Sequence, residues 1–518
     1  MIPDTCNGPT YPALLLRSVR HYHDRVAFTD DSRETRYSEV GDLIGRAQAA
    51  LLGQGLKAGD CVALLTGNSI AGWCVGIAAQ ALGMSSTALH PLGSCDDHLR
   101  HLARAEASCV VINPERFAAR GAEIAAAADI PVLTFGRMDY GVDLAAAMEH
   151  AGNVTAVDRS VSTDIAMRNF TGGTTGTPKM VRFRQSSWAA QNCAVLSNYE
   201  MPADVRLLTA GPISHVAAMM LLPMMMRGGQ CRLLPDFDPE RVLDTFTSDR
   251  SNVSLLVPSM IYAMLDSPAM KRADLSSLEL LLYGASAMSP ARLREGLERF
   301  GPVFAQIYGQ TECFPLTYMP RADHDPSLPE RLSACGFPVH ECDVTLRDAE
   351  GREVDRGEPG EICVRSSFMM TDYHNNPEAT AEALAGGWLH TGDIAHQDEE
   401  GRLYIVDRKR DMIITGGFNV WPRVIEDCLA EHPGIATSAV IGVPDDKWGE
   451  AVTAFVVLRT GAAVSADEIA AFVKRAKGST HAPKAVHIVD RLPLTAAGKI
   501  DKKPLREQAW AGMARRVG

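Results

Sequence analysis

The densest chemistry in the chain lies in Thr171-Gly172-Gly173-Thr174-Thr175-Gly176-Thr177-Pro178-Lys179. Three glycines let successive backbone N–H groups turn toward an anion, the threonine hydroxyls add donors, and Lys179 supplies charge. Thr177 and Pro178 separate the last glycine from the lysine, so this is not the Gly-Lys-Ser/Thr loop of a Walker A site. Near the other end, Lys499, Lys502 and Lys503 cluster. Such a cluster alone reads as a solvated basic tail. The preceding Pro493-Leu494-Thr495-Ala496-Ala497-Gly498 loop is instead of a kind that presents one lysine inward. His215 stands before the apolar run Val216–Met226, where a lone histidine more often packs or caps than reacts. His98 and His101 match no metal-binding spacing and read as helix surface. The twelve cysteines include no Cys-x-x-Cys pair, and Cys335 and Cys342, the two nearest, are seven apart. Reduced thiols fit this better than a disulfide frame or a zinc site.

The 171–179 stretch resembles the phosphate loop of the adenylate-forming superfamily, which includes acyl- and aryl-CoA synthetases, peptide-synthetase adenylation domains and beetle luciferases. The resemblance recurs in order along the chain. Tyr308-Gly309-Gln310-Thr311-Glu312 is similar to the Y-G-x-T-E element, and Gly387-Trp388-Leu389-His390-Thr391-Gly392-Asp393 to G-W-x-x-T-G-D. Tyr404-Ile405-Val406-Asp407-Arg408 resembles the ribose-binding hinge strand, and Gly416–Pro422 the loop opening the C-terminal domain. Pro493–Ile500 resembles the P-x-T-x-x-G-K-I element that carries a catalytic lysine. The resemblance implies that Thr171, Gly172, Gly173, Thr174, Thr175, Gly176 and Lys179 cradle phosphates, while Thr311 bonds a phosphate oxygen. It implies that Glu312 holds Mg2+, that Gly284, Ala285, Ser286 and Tyr308 with Gly309 flank adenine, and that Asp393 and Arg408 hold the ribose. Lys499 would bridge the substrate carboxylate and the α-phosphate, His215 would gate the acyl pocket beside a methionine-rich helix, and Gly417 would face the active site in a second pose. Gly172 stands where serine is frequent, Met180 where glycine is usual, and Arg410 at the pivot where Asp or Lys is usual.

Such residues need a scaffold, and the pattern supplies one. Apolar runs such as Cys61–Leu65, Cys109–Ile112, Val132–Thr134 and Val253–Val257 alternate with Ala-rich stretches such as Val40–Leu52 and Ser69–Leu82. That alternation predicts an α/β fold of mostly parallel sheets, with ligands at the carboxyl ends of strands. From about residue 320, glycine punctuation at Gly336, Gly351, Gly357, Gly360 and Gly386-Gly387 predicts a β subdomain. The reading is an N-terminal adenylation domain over 1–407, with the β subdomain over about 320–407, and a small mobile α+β C-terminal domain over 408–518. Ser465 and Glu468 form a capping box that opens one of its helices.

Composition narrows the classes. Hydrophobic residues make up 46% and charged residues 22%, enough for a large core, and 51 basic against 63 acidic residues give a net charge of −12. That disfavours a general nucleic-acid binder. The longest apolar stretch, Ala217–Met226, is too short to span a bilayer, and no signal-peptide pattern opens the chain, so a cytoplasmic enzyme is expected. The expected reaction is ATP- and Mg2+-dependent activation of a small carboxylic acid, followed by transfer to coenzyme A. Transfer to a carrier protein, activation of nitrite for diazotising an aromatic amine, and a catalytically inert nucleotide sensor stay open as alternatives, as does the oligomeric state.

Overall fold

The computed structural model describes residues 8–171, 179–408, 411–416, 418–445, 447–494 and 500–511. Two large sheets organise the first part of the chain. An eight-stranded sheet runs Asp372–Tyr373, Met180–Arg184, Ile165–Phe170, Ser85–Ala88, Cys61–Leu65, Cys109–Ile112, Val132–Thr134 and Val142–Asp143 in spatial order. It is parallel from Ile165–Phe170 to Val142–Asp143. A nine-stranded sheet has a parallel middle, with Leu280–Gly284 between Val253–Leu256 and Phe304–Gln310. The inner faces of both sheets share one contiguous core with the helices Tyr11–His21, Tyr37–Gly53 and Ile70–Ala81. The last of these is apolar all round and buried accordingly.

The glycine-punctuated region divides three ways. Cys342–Arg347, Gly360–Ser366, Leu389–Gln397 and Leu403–Arg408 form a four-stranded antiparallel sheet. Phe337–Pro338 instead edges the nine-stranded sheet, and Asp372–Tyr373 joins the eight-stranded one. A separate five-stranded sheet, built on the hairpin Ile435–Asp445 and Gly449–Leu458, holds its own core after residue 412. Its helix Ala466–Lys477 starts at the expected capping box, with Ser465 accepting from the Glu468 N–H. No helix among the described residues is long and apolar enough to cross a membrane.

Candidate active site

Residues from neighbouring strands and their connecting turns come together around Asp393. Leu280–Gly284 ends in a turn where Ala285 takes a positive φ of 63°. A Cβ on Gly284 would stand 2.2 Å from the Ile307 carbonyl oxygen, so only glycine permits this approach of neighbouring strands. Tyr283 is fully buried, its hydroxyl 3.0 Å from Gln306 Oε1 and from His324 Nε2, and belongs to the core. Next to it, Phe304–Gln310 and Cys313–Met319 form an antiparallel hairpin with Gln310 opposite Cys313. Thr311 and Glu312 are therefore the two turn residues, thrust out at the carboxyl end of a parallel strand.

Asp393 is held from three sides. Tyr308 donates its hydroxyl to Oδ2 at 2.7 Å, and Gln310 Nε2 donates to the same oxygen at 2.8 Å while also reaching the Thr391 carbonyl at 2.7 Å. Arg408, the direct cross-strand partner of Asp393, places Nε 3.4 Å from Oδ1. Burial, then the Asp393 charge, raises the Tyr308 phenol well above its ordinary range, so it stays a donor. Gln310 was not singled out from sequence. Its role depends on the Leu389–Gln397 strand arriving beside the hairpin, for which local pattern gives no signal.

The ends of the glycine-rich loop are closed by antiparallel pairing, Phe170 opposite Met180, and by the Thr171 N–H donating to the Lys179 carbonyl at 2.9 Å. Gly172, Gly173, Thr174, Thr175 and Gly176 lie outside the described residues, as do Arg410, Gly417 and Lys499. Lys179 Nζ stands 4.7 Å from the centre of the Tyr373 ring, and Tyr373 donates its hydroxyl to Glu312 Oε1 at 2.7 Å. Tyr373 thus links the base of the loop to the hairpin turn, a second residue missed in the sequence.

His215 follows the strand Arg206–Thr209 and faces the carboxyl ends of the eight-stranded sheet. Its ring meets that of His90 edge-on, with centroids 4.6 Å apart, and its Nδ1 is 2.8 Å from Ser214 Oγ. The expected methionine lining is mostly core, because Met220, Met224 and Met225 are fully buried in the principal cluster. The reading of His98 and His101 as helix surface is corrected. His98 is buried against the His90 carbonyl, 2.8 Å from Nε2, and His101 packs edge-on to Phe170 with Nε2 2.6 Å from Thr87 Oγ1. Desolvation, with His98 and His215 adding to it, pushes His101 down to about 3, so it is neutral.

The joint after residue 406 is also less solvated than its charges suggest. Asp407 is buried, accepting from the backbone N–H of Arg408 at 2.7 Å and of Arg423 at 2.9 Å. Lys502, far from being a free tail, is paired with Glu426 at 2.8 Å, and Arg506 with Asp411 at 3.1 Å. No group of three potential metal ligands gathers among the described residues.

A buried carboxylate held by a tyrosine, a glutamine and an arginine thus stands beside a hairpin-borne Thr-Glu pair, and a tyrosine joins that pair to the lysine closing a glycine-rich segment. Residues 15–374 match the family described as AMP-binding enzyme, and residues 424–499 match the AMP-binding enzyme C-terminal domain. The chain belongs to this family and is an adenylate-forming ligase. It is 43% identical to a medium/long-chain-fatty-acid–CoA ligase, FadD8, of Mycobacterium tuberculosis (strain ATCC 25618 / H37Rv), covering 99% of this chain and 93% of that one. Among solved structures, the amide bond synthetase McbA from Marinactinospora thermotolerans superposes with a TM-score of 0.88 at 32% identity, over 95% of this chain and 99% of that one. ATP-bound MatB from Rhodopseudomonas palustris gives 0.87 at 29% identity, over 96% and 98%.

Proposed function

We propose that this enzyme is a carboxylate–CoA ligase working in two half-reactions. A substrate carboxylate oxygen attacks the α-phosphorus of ATP, the bond to the β-phosphate oxygen breaks, and pyrophosphate leaves. The thiol of coenzyme A then attacks the acyl carbon, loses its proton, and displaces AMP. The observation that carries this reading is the Asp393 platform, fixed by Tyr308, Gln310 and Arg408 beside the Thr311-Glu312 turn. A carboxylate held so firmly suits a pair of ribose hydroxyls, and the turn beyond it then meets the phosphates.

Each residue has a role in this scheme. Gly284, Ala285, Ser286, Tyr308 and Gly309 border the adenine, and Asp393 with Arg408 orients the sugar. Thr171, Lys179 and the loop between them hold the phosphates, and Thr311 donates to a phosphate oxygen. Glu312 would hold Mg2+ as a hard carboxylate-oxygen ligand, with Tyr373 steadying it by donating to Oε1. When bound, the cation neutralises charge on the departing pyrophosphate. The role assigned to Lys499 is to bridge the carboxylate and the α-phosphate, where one preorganised donor is worth about 3–4 kcal/mol in the transition state. His215 borders the acid, and residues 408–518 swing about Arg410 so that Gly417 faces the thiol.

Coenzyme A is favoured over a carrier protein by a surface on the C-terminal part. Trp448 is part-exposed, with Lys447 Nζ 4.8 Å and Lys484 Nζ 5.4 Å from its ring. An indole beside two ammonium groups suits a polyanion carrying a flat base. Pyrophosphate release with dodecanoic and ferulic acids, followed by mass spectrometry of the products with coenzyme A, a carrier protein, or nitrite plus an aromatic amine, tests the assignment. Turnover only with one of the latter two would replace it.

A further inference from the structure

Asn68 lies beyond the carboxyl end of Cys61–Leu65, directly before Ser69, whose hydroxyl caps the helix Ile70–Ala81 by accepting from the Gly72 N–H. Its side chain leaves its own sheet and reaches the loop that joins Arg206–Thr209 of the other sheet to His215. Oδ1 accepts the Ile213 N–H at 2.9 Å, while Nδ2 donates to the carbonyls of Gly211 at 3.1 Å and Leu234 at 2.8 Å. This fixes the amide orientation, because a flipped group would set its NH2 against an N–H and its oxygen against two carbonyls. Gly211, Ile213 and Leu234 lie outside the strands, so one side chain satisfies backbone groups that no ladder reaches.

A second residue of the same sheet holds the ring. His90 follows Ser85–Ala88 and meets His215 at an interplanar angle of 74°. His90 is braced from behind, its Nδ1 accepting the Leu92 N–H at 3.0 Å. Backbone and imidazole of the His215 loop are therefore both seated by groups that follow strands of the eight-stranded sheet.

We propose that Asn68 is a positioning residue for acid recognition, seating residues 211–215 so that His215 meets the substrate acid, with His90 bracing the ring. This rests on the reading of His215 as an acid-pocket residue. Loss of the clamp displaces His215 and leaves the Asp393 platform, which hangs on other strands, in place.

The test is a double-variant cycle on the full chain with dodecanoic or ferulic acid as probe, following acid-dependent ATP–pyrophosphate exchange. Asn68→Ala is expected to raise KM for the acid about tenfold, the scale of losing hydrogen bonds to buried groups, with KM for ATP unchanged. In a His215→Ala background the same substitution should add less than about twofold, the signature of two residues acting as a unit. Effects that multiply, an ATP KM rising in step, or an unaltered acid KM for Asn68→Ala overturn the inference. A His215→Ala variant with unaltered acid KM instead overturns the pocket reading beneath it. Asn68→Asp covers poor folding of the alanine variant, since it keeps the Ile213 acceptor and sets an oxygen against two carbonyls. It too must raise the acid KM, and a wild-type value rejects the proposal.

Discussion

Tyr373 donates its hydroxyl to Oε1 of Glu312 across 2.7 Å, although the two belong to different sheets and are 61 residues apart. The carboxylate, then, does not hang free from its turn. Burial, with the Glu312 charge adding to it, raises the Tyr373 phenol far above its ordinary range, so the hydroxyl stays the donor. Tyr373→Phe should raise the Mg2+ concentration for half-maximal exchange several-fold, since hydrogen bonds to charged groups contribute about 1.5–3 kcal/mol. Initial rates across a Mg2+ series at fixed ATP check this. An unchanged midpoint would remove Glu312 from the metal.

The Asp393 platform predicts a selective loss of nucleotide affinity. Asp393→Asn removes the charge facing Arg408 and turns one acceptor into a donor against Tyr308 and Gln310. KM for ATP should rise roughly ten- to hundredfold on the scale of charged hydrogen bonds, with KM for the acid nearly constant. Gln310→Ala should show a smaller change of the same kind. Steady-state kinetics with each substrate varied separately decides it.

Much of this arrangement was readable before any coordinates. Apolar runs marked Cys61–Leu65 and Cys109–Ile112 to the residue, because fully buried parallel strands carry no polar face to blur their ends. Tyr308, Gly309, Thr311, Glu312 and Asp393 were legible as candidates, and Asp393 does meet Tyr308 and Arg408. Gln310, Tyr373 and Asn68 were not, since each acts through a partner brought close only by the packing of separate sheets. His98 and His101 show the opposite failure. Polar side chains three apart on a helix read as solvated, yet here they face the Thr87 and His90 strand end, and Asp97 and Arg100 take the exposed side.

The buried joint predicts a pH effect on stability. Burial above all, with Asp411 and Glu426 adding to it against Lys502 and the Arg423 N–H, raises the Asp407 carboxyl from 3.8 to about 6. Between those values the folded chain holds a proton that the unfolded chain releases. The contribution is full below 3.8 and lost as pH rises through about 6. Asp407→Asn should abolish this term, so its melting temperature should gain on wild type as pH rises from about 4 to 7. A constant difference across that range rejects the assignment.

Lys499→Ala should lower acid-dependent exchange by about 10²–10³. Thioester formation from a supplied acyl adenylate should fall much less, because that step no longer joins two anions. Melting curves of variant and wild type should coincide within a few degrees. Equal losses in both half-reactions would take the adenylation role away from this lysine.

The central claim is that the chain forms an acyl adenylate and then passes the acyl group to a thiol. The most direct measurement is ATP–pyrophosphate exchange by the purified chain with an acid and without coenzyme A, followed by product analysis once coenzyme A is added. The account predicts exchange only in the presence of acid, then AMP and acyl-CoA in equal amounts. Exchange that needs no acid, or ADP and phosphate as the nucleotide products, would contradict it.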